Sequence, residues 1–245
     1  MDPCTIFNRL LAVAGRLDSV ESAFEFELTP EPLSLFKNSM IRKAVKAALR
    51  NLFFPSDLSV SPNTIERVGA SFIDGGAHLH RVRWDKGKTF KNIATSYVKY
   101  IKKHYLRPTV IFDGYEGTTA KSQEHIRINY VPMSTYVDIR EDSRCVFNQD
   151  RYFSLTENKS TFIKFLSFNL KSEDIAVINC YGEADTNVVS SAIAFAKLKA
   201  GSCAVIADDT DIAVMLLHHW TEEMDDMYFV QQRTLSAWSM EKSLL

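Results

Sequence analysis

Val205 to Leu217 reads VIADDTDIAVMLL, with Asp208, Asp209 and Asp211 crowded between two apolar runs. Ionised carboxylates do not settle in an apolar core, because taking an unpaired charge out of water is prohibitively costly. The stretch is therefore read as a buried strand that stops, followed by a turn that carries the acids.

Three stretches upstream behave alike. ASFID (70–74) ends in Asp74, PTVIFDG (108–114) runs into Asp113, and IAVINC (175–180) leads to YGEADT (181–186) with Glu183 and Asp185. Between them, TFKNIATSYVKYIKKHY (89–105) sets Phe90, Ile93, Tyr97 and Ile101 at helical spacing. STFIKFLSFNL (160–170) predicts a second helix, and TNVVSSAIAFAKLKA (186–200) a third, closed by Gly201. MYFVQQ (227–232) predicts a fifth strand. Strands that are apolar almost throughout, alternating with helices, predict an α/β domain: a central, mainly parallel, Rossmann-like sheet flanked by helices. The C-terminal ends of parallel strands share one edge, where ligands of such folds bind. Asp74, Asp113, Glu183, Asp185, Asp208, Asp209 and Asp211 are thus expected to converge there.

Converging carboxylates repel one another and raise each other's pKa unless cations neutralise them. Oxygen donors without His or Cys select Mg²⁺ or Mn²⁺ over zinc. Two such ions about 4 Å apart can activate water and stabilise the leaving oxygen of a phosphodiester. For any one acid the plainer reading is a helix cap or turn residue; four strand ends acting alike favour a metal site.

Composition sets the frame. The chain has 245 residues, 46% of them hydrophobic and 24% charged, as in globular proteins. Runs such as IAVMLL are too short to span a bilayer, and the start, with Asp2 and no A-x-A-like cleavage site, does not read as a signal peptide. Cys4, Cys145, Cys180 and Cys203 are scattered, which fits free thiols in a reducing compartment. The expected location is intracellular, nuclear or cytoplasmic, with no membrane contact. Net charge is −1, yet Leu79 to Tyr105 carries eight Lys or Arg against Asp85 alone, while Ala200 to Gln232 holds seven acids and no Lys or Arg. A basic face beside an acidic centre suits a polyanion held near cations, and two solvated faces are the alternative.

Residues 1–68 carry no motif and read as a partly helical N-terminal extension, with a helix expected near Asn38–Leu52 between Pro32 and Pro55. Residues 69–245 form the expected main domain.

The motifs SFIDGGAHLHR, VIFDGYEGTTAKSQEHIR, YGEADTNVVSSAIA and VIADDTDIAVM resemble, in order, those of the flap-endonuclease superfamily of PIN-like nucleases, over about 69 to 232. More narrowly, the chain resembles often transposon-associated animal members. The resemblance implies a PIN-like fold and a metal-dependent endo- or exonuclease, structure-specific in the family, that hydrolyses phosphodiester bonds of DNA or RNA. It implies one or two Mg²⁺ or Mn²⁺ ions held by Asp74, Asp113, Glu183, Asp185, Asp209 and Asp211, with no small-molecule cofactor. Asp208 fills a place that is commonly acidic but not usually a ligand. Lys121 and Arg127 match the basic residues that contact the scissile phosphate, and the basic helix with Lys99, Lys102 and Lys103 is expected to touch the nucleic-acid backbone. The family usually adds a further acid downstream and a helical DNA-binding module, and this chain reaches Leu245 with neither. A fragment, a truncated copy and a degenerate copy all fit that departure, and the alternative function is a catalytically inactive PIN-like module that binds nucleic acid or a protein partner.

Other motifs fare less well. His78–His80 and His218–His219 lack partners at zinc-ligand spacing. DDTDIAV resembles the loop of aspartyl-phosphate phosphatases, and Glu plus D-x-D that of topoisomerase–primase domains, but both leave Asp74 and Asp113 unexplained. Tyr97, Tyr100 and Tyr105 could stack bases, although helical spacing puts Tyr97 in the core.

Overall fold

The computed structural model describes residues 35–42, 46–55, 59–61, 68–114, 135–232 and 236–243, with isolated positions before residue 35. It divides into two compact units, Met1–Lys46 and Ala47–Leu245. In chain order the elements are β1 (Phe36–Lys37), β2 (Met40–Ile41), α1 (Lys46–Phe53), β3 (Ser59–Val60), β4 (Ala70–Asp74), α2 (Gly75–Leu79), α3 (Phe90–His104) and β5 (Pro108–Phe112). Then follow α4 (Gln149–Phe153), α5 (Thr156–Lys171), β6 (Ala176–Asn179), α6 (Asp185–Lys197), β7 (Cys203–Ile206), α7 (Thr210–His219), β8 (Met227–Gln231), β9 (Ser236–Ser239) and α8 (Met240–Ser243).

In the first unit β1 and β2 pair antiparallel, Phe36 opposite Ile41. Asn38 and Ser39 connect them at φ 53° and 61°. Two left-handed residues are what a two-residue hairpin turn requires. The helix expected from Asn38 therefore cannot begin there; α1 starts at Lys46.

In the second unit, seven strands among the described residues form one sheet in the order β3-β9-β8-β7-β4-β5-β6. The run from β8 to β6 is parallel throughout; β9 and β3 add an antiparallel margin. This is the mainly parallel α/β sheet expected from the alternating apolar runs. Both faces are covered, so the central strands bury successive residues on opposite sides. Ile73, Val110 and Ile206 pack under α3 and α5 with Ile93, Tyr97, Phe162 and Leu166. Phe72, Ile111 and Val205 pack under α6 and α7 with Val188, Ala192, Ile212 and Leu216.

The compact unit begins at Ala47, upstream of the boundary at residue 68 expected from sequence. Phe54 meets the rings of Phe229 and Trp238 at 5.5 and 5.6 Å, and Trp238 Nε1 donates to the Pro55 carbonyl at 2.9 Å. Beyond that contact β3 pairs with β9. No helix of the described residues is long and apolar enough to cross a membrane. Cys145, Cys180 and Cys203 are free thiols.

Candidate functional site

Register fixes the acidic edge. Asp74, the last residue of β4, lies opposite Ile111, so Asp113 follows two residues later, just past the end of β5. Ile73 pairs with Ile206, so the turn holding Asp208 and Asp209 leaves the sheet at the same end. Phe112 pairs with Asn179, which sends the chain after β6 to that end as well.

Asp74 caps α2: its Oδ1 accepts from the backbone N–H of Gly76 at 2.9 Å and of Ala77 at 3.3 Å. The turn is tight. A Cβ at Gly75 would collide with the Phe112 ring and come within 2.8 Å of the Ile111 carbonyl, so only glycine lets the chain pass over β5. Asp113 does a related job between strands. Its Oδ1 accepts from the Ala184 N–H at 2.7 Å, while Gly114 N–H donates to the Gly182 carbonyl at 2.8 Å. Asp113 thereby holds the start of α6, and with it Asp185, beside β5. Asp209 caps α7 by accepting from the Asp211 N–H at 3.0 Å, and Asp211 stands exposed in the first helical turn.

Electrostatics single out Asp74. Burial, foremost, pushes its carboxyl up to about 6; the Ala77 and Gly76 N–H groups pull it down, and the charges of Asp113 and Asp185 push it further up. Asp74 therefore lies within the field of both Asp113 and Asp185. Glu183 is exposed just before α6, and Asp208 is half-buried near Arg81 and Tyr105. Among the described residues no group of three or more His, Cys, Asp or Glu is drawn together tightly enough to hold a metal ion. The edge gathers acids without closing them into a coordination cluster.

The donor set nonetheless suits a hard cation. It is all carboxylate, and in Asp74 and Asp113 the backbone uses Oδ1, leaving Oδ2 with no hydrogen bond from a described residue. A half-buried carboxyl beside two like charges is also the arrangement a cation relieves.

The other expected site residues fall elsewhere. Lys121 and Arg127 lie outside the described residues. Lys99, Lys102 and Lys103 line a groove between α3 and α5 that no edge acid borders, and Lys102 pairs with Glu173 at 2.7 Å. Tyr97 is fully buried, as its helical spacing implies.

Two features escaped the sequence reading. Arg81 Nε donates to Tyr100 Oη at 3.3 Å, which, with the charge of Asp208 among lesser causes, holds the guanidinium protonated beside the acidic turn. His78, from the HLH stretch, is 2% exposed and ringed by Tyr97, Tyr100 and Tyr105 at 5.4 to 6.1 Å. Burial pushes it down to about 4. Gln232 stands close enough to favour its protonation, yet neither side chain makes a well-formed hydrogen bond. Neither contact was legible, since each joins segments far apart in sequence.

No protein-family model matches the sequence, and no curated protein matches it. Among solved structures, the chain is similar to the catalytic core of Rad2 in complex with DNA substrate, at 15% identity and a TM-score of 0.44, covering 81% of this chain and 54% of that one. A second Rad2–DNA complex gives 16% identity and a TM-score of 0.43. The T5 D15 protein co-crystallised with metal ions gives 16% identity and a TM-score of 0.38, covering 69% of this chain and 56% of that one. The chain spans about half the length of these structures.

Proposed function

We propose that the protein is a metal-dependent nuclease that hydrolyses phosphodiester bonds of DNA or RNA at the acidic edge of its sheet. One observation carries this reading: the chain carries a carboxylate at or shortly past the same end of four adjacent parallel strands, and Asp74 feels the charges of Asp113 and Asp185. Asp74, Asp113, Glu183, Asp185, Asp209 and Asp211 would hold Mg²⁺ or Mn²⁺. Such an ion, when bound, lowers the pKa of water and offsets charge on the leaving oxygen. The chain's own contribution is rigidity: Asp74, Asp113 and Asp209 each bind a backbone N–H, so their carboxylates are set before any ligand arrives. Lys121 and Arg127 would neutralise and position the phosphate.

The test is incubation of the protein with end-labelled flapped and single-stranded oligonucleotides in Mn²⁺, Mg²⁺ or EDTA. Cutting is expected with metal and not in EDTA. A wild-type protein that binds the oligonucleotides and never cuts them in Mn²⁺ would sink the proposal. That outcome would favour a module that binds without hydrolysis, a reading helped by the absence of a closed trio of ligands among the described residues.

A further inference from the structure

The groove between α3 and α5 has no role in the hydrolysis proposed above. It is open, about 680 Å³ in volume, and four lysines line it against two glutamates. The glutamates are already engaged: Lys91 pairs with Glu141 at 2.9 Å and Lys102 with Glu173 at 2.7 Å. Lys99 and Lys103 have no carboxylate partner among the described residues and stand four apart on one helix face, where like charges repel. The dipole at the end of α3 explains Lys102 and Lys103, which lie in its last turn, but not Lys99. Opposite the lysines, Phe168 of α5 is 69% exposed at the groove wall. Its neighbours Leu166 and Leu170 turn into the core, and Phe168 is not part of the cluster they join.

We propose that this groove is a second nucleic-acid contact that holds a single strand, with phosphates on Lys99 and Lys103 and a base stacked on Phe168. Unpaired cations along a channel beside an exposed aromatic ring are the elements of single-strand recognition. The channel supplies sequence-independent attraction, and the ring accepts any base. From Lys91 to Lys103 the helix runs about 18 Å, long enough to follow a backbone rather than capture one anion. Duplex bases are already stacked and cannot reach the ring. The proposal rests on the nucleic-acid part of the preceding reading and not on its hydrolytic part.

The test is fluorescence anisotropy with labelled oligo-dT and oligo-U and a matched duplex, in EDTA so that no cutting intrudes, across a KCl series. Lys99→Gln with Lys103→Gln should weaken single-strand binding on the order of tenfold at about 0.1 M salt and lower the slope of log K against log salt by about 1.4. Phe168→Ala should cost at least about fivefold on single strands and little on duplex, with the slope unchanged, and Phe168→Tyr should restore affinity. The comparison variant is Lys197→Gln with Lys199→Gln, near the far end of α6. Wild-type affinity in both groove variants overturns the proposal. So does an equal loss in the α6 variant, which would mean a general charge effect. Wild-type protein that binds no oligonucleotide overturns it too. Cleavage in Mn²⁺, scored separately, reports on the carboxylate edge alone, so the two proposals fail independently.

Discussion

Asp74 holds two demands in one side chain. Its Oδ1 caps α2, while burial and the charges of Asp113 and Asp185 favour its neutral form. An acid whose folded pKa lies above its unfolded value contributes stability below the unfolded value and loses it as pH rises through the folded one. Each pH unit separating the folded from the unfolded value is worth about 1.4 kcal/mol, so metal-free protein should lose up to about 3 kcal/mol between about pH 4 and 7. Asp74→Asn keeps the capping oxygen, since Asn caps about as well as Asp. It should flatten this pH dependence and raise stability at neutral pH in EDTA. Urea titrations at several pH values give the answer, and an unaltered pH profile in the variant would mean that Asp74 titrates normally. Asp211 tests chemistry instead. It is exposed in the first turn of α7, whose cap is Asp209, so Asp211→Asn should leave the fold intact and, if the protein is the nuclease proposed above, abolish Mn²⁺-dependent cleavage. Wild-type rates in that variant would remove Asp211 from the site.

At the scale of elements, the acidic edge depends on how α2 is anchored. This helix has only five residues, too few to stand alone. Tyr97 of α3 secures its end: the hydroxyl donates to the Leu79 carbonyl at 2.6 Å and accepts from Trp84 Nε1 at 2.9 Å. Gln149 of α4 donates to the same carbonyl at 2.7 Å. Tyr97→Phe removes the central oxygen and leaves the part-buried Trp84 indole N–H without that partner, a loss of about 1–3 kcal/mol. Denaturant midpoints should fall accordingly at unchanged m-value; a neutral effect would mean that Gln149 alone suffices. Such elements also show what sequence could and could not reveal. The parallel strands and α3, α5 and α6 were legible because long apolar runs and helical periods announce them. Ser59–Val60 and Ser236–Ser239, the antiparallel margin, were not. Strands this short carry no alternation to read, and their pairing depends on Phe54 and Trp238 meeting across most of the length of the chain. The hairpin at Asn38–Ser39 was hidden for a related reason: both residues tolerate a helical window, and only their left-handed φ values reveal the turn.

The acidic edge was legible at the level of the whole molecule rather than of any residue. Each acid after a strand is a plausible cap, and Asp74 and Asp209 are caps; only the parallel sheet makes their positions add up. That sum has a thermodynamic consequence. Carboxylates held at one edge repel only when the chain is folded, and a cation that binds there binds only the folded form. At a hundredfold excess over its dissociation constant, such an ion contributes about 2.7 kcal/mol. For a unit near 200 residues this raises the melting temperature by roughly 5–10 °C. Wild-type protein should therefore melt higher in millimolar Mn²⁺ or Mg²⁺ than in EDTA. Asp113→Asn preserves an acceptor for the Ala184 N–H while removing a charge beside Asp74. It should melt above wild type in EDTA and respond less to metal. Identical melting of wild type with and without the ion would show that the edge binds none, and a destabilised variant in EDTA would show that Asp113 matters as a tie between loops rather than as a charge.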